Sequence, residues 1–245
     1  MRIYFVSLRK MRAGWIYALL SAIIILATVL GIILKPFGVK NAQDAMASEA
    51  KKTIIIDPGH GGEDCGAIGC TGAFEKDLNL EISMIIGEML GEKGFNVVYT
   101  RTDDRMLYLP EENIKGIRKL SDLKSRVRIS DENPGAIFVS IHMNSFGEAK
   151  YSGLQVYAKD KSEDSEALAE AIRRAVVSTC EPENKRAVKR GDKIYVLEKN
   201  TNTSVLIECG FLSNEAECER LSQKEFQKEL SFSIVCGIIK YIEEN

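Results

Sequence analysis

The sequence contains only two histidines, has no C-x-x-C pair, and shows no internal repeat or low-complexity tract. Without C-x-x-C spacing, zinc-finger and thioredoxin-like readings fail. Basic charge is also short once position is considered. Residues 1–47 hold six basic side chains (Arg2, Arg9, Lys10, Arg12, Lys35, Lys40) and one acidic, Asp44, which leaves 27 basic and 34 acidic groups, a net −7, in the remainder. A domain of that sign lacks the basic face that nucleic-acid binding needs to neutralise phosphates. Six cysteines are present (65, 70, 180, 209, 218 and 236). An exported domain can form disulfides, but the apolar settings of Cys209 and Cys236 favour buried free thiols.

The chain does have one long apolar run. Ala13–Leu34 carries no charge, and at about 1.5 Å per residue it is long enough to cross a hydrocarbon core of about 30 Å. Four basic residues precede it and two follow, so the positive-inside bias puts the N-terminus in the cytoplasm and the remainder outside. Ala45-Met46-Ala47 has the small-x-small form of a signal-peptidase site. The apolar run, however, exceeds the roughly 7–15 residues of a signal peptide, and an uncleaved anchor is the favoured reading. The expected organisation is a cytoplasmic segment 1–12, an anchor 13–34, a linker 35–51 containing Pro36 and Gly38, and one exported domain 52–245. About 200 residues suffice for a single well-buried domain.

Within that domain strands and helices alternate. Thr53–Asp57, Asn96–Thr100, Ala136–His142, Leu154–Ala158, Lys193–Leu197 and Ser204–Cys209 are short apolar or β-branched runs that predict strands. Helices are predicted over Asp77–Lys93, Leu120–Ser130, Ser165–Ser178 and Lys224–Glu243. In the last of these, Phe226, Leu230, Ile234, Ile238 and Tyr241 share one face. Asn214 is a suitable N-cap for a short helix. Such alternation predicts an α/β domain, with a mostly parallel sheet and helices on both faces. Active sites in these sheets gather at the carboxyl ends of strands.

Both histidines end predicted strands. His60 stands in Asp57-Pro58-Gly59-His60-Gly61-Gly62 and His142 in Ser140-Ile141-His142-Met143-Asn144-Ser145. Neutral imidazole is the commonest zinc ligand. A catalytic zinc needs a third protein ligand and an open position for water. Glu75, in the loop before the helix at Asp77, is the leading third ligand. Its other reading is a first-turn acid favoured by the helix dipole. Cys65 and Cys70 share the loop, although thiolates favour structural sites. Glu208 ends the apolar run Val205-Leu206-Ile207. A carboxylate placed there is costly to ionise unless paired, so it reads either as a proton-transfer group of raised pKa or as half of a salt bridge.

The segments DPGHGG (57–62), FEKDLNL (74–80), TRTDD (100–104), SIHMNS (140–145) and LIECGFLSN (206–214) resemble, in order, the zinc-dependent N-acetylmuramoyl-L-alanine amidases. The resemblance implies a twisted, mostly parallel six-stranded sheet. It implies hydrolysis, by a zinc-activated water, of the peptidoglycan amide joining N-acetylmuramic acid to L-alanine. It assigns one zinc ion to His60, Glu75 and His142, and proton transfer to Glu208. Residues 121–145 further resemble the membrane-anchored germination-specific amidases of spore cortex. For that subgroup the expected partners are a sporulation lipoprotein and a cooperating deacetylase, and the expected place is the outer face of a membrane. A vegetative autolysin, a zinc carboxypeptidase-like peptidase on the stem peptide, and a non-catalytic wall-binding module are the competing readings.

Overall fold

In the computed structural model the described residues are 51–114 and 116–245. The expected cytoplasmic segment, the anchor and all but the last residue of the linker lie outside them. Among the described residues no helix is long and apolar enough to cross a membrane.

Residues 51–245 form one compact unit. In chain order the elements are β1 (Thr53–Pro58), α1 (Glu75–Glu92), β2 (Asn96–Tyr99), a 3₁₀ turn (Pro110–Glu112), α2 (Arg118–Asp131), β3 (Ile137–Asn144), β4 (Gln155–Ala158), α3 (Glu163–Thr179), β5 (Lys189–Arg190), α4 (Tyr195–Glu198), β6 (Thr203–Phe211), α5 (Glu215–Leu221) and α6 (Lys224–Glu244). The six-stranded sheet has the order β2-β1-β3-β6-β4-β5. β1, β2, β3 and β6 run parallel. β4 is antiparallel to β6, and β5 follows β4. The sheet is therefore mixed, because one edge of two strands runs against the other four.

The strand periodicity explains the two layers. Ile54 and Ile56 face a core built with α1, α3, α5 and α6. Ile55, between them, faces a smaller core with Phe138, Leu206, Val127 of α2 and Val196 of α4. Alternate residues of one strand thus serve opposite faces, and covering both keeps the whole run dry. The stripe of α6 is buried as its spacing predicts. Asn214 caps α5 by accepting a hydrogen bond from the Glu217 amide.

Three expectations need correction. Lys193–Leu197 is not a strand: Tyr195–Glu198 forms one helical turn, whose Val196 and Leu197 close over Phe138 and Leu206. The fifth strand lies earlier, at the exposed pair Lys189–Arg190. β-branched and aromatic residues signalled burial there, and packing chose the helical way to achieve it. Glu75 is not in a loop but is the first residue of α1. All six cysteines are free, and Cys209 is buried, but Cys236 is exposed on the face of α6 away from the core.

Candidate metal centre and active site

The site forms where β1, β3 and β6 end. β1 finishes with Pro58, and a glycine-rich turn follows. His60 sits in that turn at φ 61°, a left-handed conformation uncommon for a residue with a side chain. Two arginines hold the turn. Arg126, 2% exposed, donates to the carbonyls of Pro58 at 2.7 Å and His60 at 2.6 Å. Arg101, also 2% exposed, donates to Pro58 at 3.0 Å and Gly59 at 2.9 Å. Arg126 is neutralised by Asp57 at 2.6 Å and Asp122 at 2.7 Å. Burial opposes ionisation of Asp57. The Arg126 charge and the hydroxyls of Ser140 and Thr100 outweigh it and hold the carboxyl below its ordinary range. This satisfied network leaves the strand end rigid.

Glu75 is the hub of the cluster. Its Oε1 lies 3.1 Å from His60 Nε2 and 3.0 Å from His142 Nδ1, and accepts from the Met143 amide at 3.1 Å. Its Oε2 accepts from the Ala67 amide at 2.8 Å. The ligand-type atoms of His60, Glu75 and His142 all lie within 4.8 Å of one another. Burial would raise the Glu75 pKa, but the two imidazoles override it and depress it strongly. His60 shows the reverse. Burial would lower it, yet Asp64 and Glu75 lift the imidazole to about 9. Asp64 binds the far nitrogen, Nδ1, at 2.9 Å. A carboxylate in that place fixes the tautomer and presents Nε2 toward a metal. Asn79, fully buried, bridges Gly59 O and Glu75 Oε1.

Glu208 lies beside the cluster, in register with His142 on the neighbouring strand. Its Oε2 is enclosed and has no hydrogen-bond partner. Burial pushes its pKa up to about 7; His142 lowers it and the Glu75 charge raises it. The salt-bridge reading of Glu208 therefore fails, because among the described residues no cation pairs with it. The cluster and this orphaned oxygen fit a divalent cation. Two imidazoles and a carboxylate are a zinc donor set with room for further ligands, and a cation would compensate a carboxylate otherwise left without a partner.

The structure brings together all four residues singled out in the sequence. It does not bring in the cysteines: Cys65 turns to the Gly66 carbonyl, and Cys70 lies toward Cys218. Sequence reasoning missed Asp57, Asp64, Arg101, Asn79 and Arg126. One signal was available. Of the six buried positions of α2, five are polar (Ser121, Asp122, Ser125, Arg126 and Ser130) and only Val127 is apolar, and a buried helix stripe so rich in polar residues marks a network rather than a core.

A mixed α/β sheet with a His-Glu-His cluster at its strand ends and a lone raised-pKa glutamate beside it defines a hydrolase with a candidate metal centre. Comparison with known proteins gives the family. A family model for N-acetylmuramoyl-L-alanine amidase matches residues 54–240. An uncharacterised protein of Bacillus subtilis, YqiI, is 38% identical over 195 residues, covering 79% of this chain and 86% of that one. The germination-specific N-acetylmuramoyl-L-alanine amidase of the same bacterium is 36% identical over 195 residues, covering 79% and 81%. Among solved structures, the CwlD amidase from Clostridioides difficile, determined in complex with the GerS lipoprotein, superposes with a TM-score of 0.77 at 40% identity, covering 80% of this chain and all of that one. The chain belongs to the N-acetylmuramoyl-L-alanine amidase family, whose members cleave peptidoglycan.

Proposed function

We propose that the chain is a zinc-dependent amidase that separates N-acetylmuramic acid from the L-alanine of the stem peptide, using one zinc ion per chain. The observation that carries this reading is the convergence of His60, Glu75 and His142 within 4.8 Å, with the unpartnered Oε2 of Glu208 at their side. When bound, zinc supplies a Lewis acid that polarises the scissile carbonyl and acidifies water. The chain's own residues do the rest. His60, Glu75 and His142 would hold the metal, with Asp64 orienting His60. Glu208, raised toward neutrality by burial, accepts the proton of the attacking water. It then returns that proton to the leaving nitrogen, because an amine departs only when protonated.

The setting is read from the relatives and from the N-terminal sequence. A relative named as germination-specific supports a role in spore cortex, and a neighbour held in complex with a lipoprotein supports a lipoprotein partner. The uncharged run 13–34 supports a membrane anchor with the domain outside. Accumulation of the protein only during spore formation is expected, and a constant level in growing cells would favour the autolysin reading.

The decisive experiment is mass spectrometry of peptidoglycan digested by the purified full chain, with and without a chelator. Intact stem peptides with a free L-alanine amine should appear, vanish with chelator and return with zinc. Cleavage between amino acids of the stem would make the chain a peptidase, and cleavage indifferent to chelator would remove the metal from the mechanism.

A further inference from the structure

Beyond the metal cluster, a cavity of about 280 Å³ opens between the ends of β3 and β6 and the edge pair β4–β5. Its walls are aromatic. Phe146 meets Tyr151 edge to face at 5.1 Å, and Tyr151 leans on Phe211 at 6.1 Å. Two cations stand in it. Arg186 lies over the Phe211 ring at 4.8 Å, and Lys189 lies 5.9 Å from the Tyr157 ring. Neighbouring cations are neutralised, Arg190 by Asp160 and Arg220 by Glu181. Among the described residues no carboxylate lies within ion-pair reach of Arg186 or Lys189.

The register connects this cavity to the active site. Glu208 pairs with Gln155 of β4. Tyr157, two residues on, shares its face of the sheet, and Lys189 is in register with Tyr157. Side chains two apart on a strand, and in register across strands, point the same way. Lys189 therefore stands two strand spacings across the sheet and two residues along it from Glu208, about 12 Å away. Tyr157 is close enough for the charges of both Glu208 and Arg186 to act on its phenol. Read across the sheet, the order is His60 after β1, His142 on β3, Glu208 on β6, Tyr157 on β4 and Lys189 on β5.

That order has a direction. If the carbonyl side of the bond lies at the histidines and the leaving nitrogen at Glu208, the chain beyond the nitrogen runs toward Tyr157 and Lys189. We propose that Arg186 and Lys189, with the aromatic wall beneath them, form the subsite for the leaving peptide and select a free carboxylate on its second residue. This rests on the amidase reading. Arg186 is half-buried, bonded through Nε to the Ser152 carbonyl at 3.0 Å and stacked on Phe211, so its remaining donors are held in place for an anion. Lys189 is exposed and adds a mobile charge at the rim. A fixed guanidinium supplies geometry and an ammonium supplies field.

Two muramoyl peptides that differ only in a carboxylate or a carboxamide on the second residue test this with the full chain. The wild type should cleave the acid with a kcat/KM roughly tenfold higher, the difference lying in KM and shrinking at high salt, as charge-assisted contacts do. Lys189→Glu, on an exposed strand where folding is not at stake, should erase or invert the preference. Arg186→Gln should lower acid cleavage to the carboxamide level. Equal cleavage of both substrates by the wild type, or a preference that survives Lys189→Glu and Arg186→Gln, overturns the subsite and leaves the amidase reading standing. Cleavage of neither substrate by zinc-loaded protein overturns the amidase reading and the subsite with it.

Discussion

Glu75 and Glu208 are the same amino acid in one site, and their surroundings drive them apart. Glu75 has five hydrogen-bonding neighbours, two of them imidazoles, and is held ionised. Glu208 has an oxygen with no partner and a pKa near 7. Removing each should therefore do different things. Glu75→Ala deletes a metal–oxygen contact, so zinc affinity should drop and excess zinc should restore part of the activity. Glu208→Gln keeps the shape but cannot accept a proton. Zinc should stay bound while turnover falls by about 10²–10⁴-fold, beyond rescue by added zinc. Zinc titration of both variants with amide cleavage as readout checks this, and the opposite pattern would exchange their roles.

Glu208 also carries a stability cost that depends on pH. Its folded pKa, about 7, lies above the ordinary 4.5. The metal-free fold thus holds that proton more tightly than the unfolded chain does. The cost is absent below about pH 4.5, grows as pH rises, and is complete above about 7, where it amounts to roughly 3 kcal/mol. Glutamine does not titrate. Chelator-treated Glu208→Gln should match the wild type in urea near pH 4 and be the more stable protein at pH 8. A stability difference of the same size at both pH values would mean that burial of the charge is not its source. Neither imidazole nor carboxylate roles are visible in residue type alone; two histidines and an out-of-place acid made three of the four positions legible, and Glu75 was read from its place before the helix at Asp77 and from the motif resemblance.

At the scale of elements, the end of β1 shows why glycine is required. A Cβ on Gly59 would overlap the His142 ring, so the approach of β1 to β3 at this level depends on its absence. Gly59→Ala should leave the sheet intact, because the overlap lies beyond the paired core, yet displace the imidazole. The expected result is an unchanged far-ultraviolet dichroism spectrum with weakened zinc binding by elemental analysis. Full zinc occupancy in that variant would show that the ring has somewhere else to go. Helix α2 carries a different lesson. Its weakly apolar sequence still reads as a helix, but its inward side chains, Asp122 and Arg126, join an ion network reaching Asp57 and the His60 carbonyl. Periodicity reports which positions face inward. It does not report that the inward partner is a strand end with unpaired carbonyls.

At the scale of the molecule, the described residues 51–114 and 116–245 form the folded domain, and the proposed anchor precedes it in the sequence. The uncharged run 13–34 leads to a direct expectation: full-length protein made in a bacterium should sediment with membranes through a high-salt wash. A soluble mature form beginning near Ser48 would show that the segment is removed. The mixed sheet matters at this scale as well. Reversal of β4 sets Gln155 opposite Glu208 and Tyr157 two residues back, opposite Leu206, and the aromatic cavity beside them is the subsite proposed for the leaving peptide.

Much was determined by the sequence alone. Alternating apolar runs dictated an α/β domain, since a strand of Ile54, Ile55 and Ile56 must be covered on both faces. His60, His142 and Glu208, each at or just beyond the end of an apolar run, marked candidate positions, and the resemblance of the surrounding motifs assigned their roles. Other features were decided by tertiary structure. Whether Lys193–Leu197 extends or coils depended on the shape of the surface over Phe138 and Leu206. The antiparallel sense of β4 depended on which sheet edge was free. The supports of the site, Arg101 and Arg126 above all, depended on contacts between residues 42 to 69 positions apart in the chain. Local propensity spans a few residues, and only the closed fold brings such distant charges to the same carbonyls.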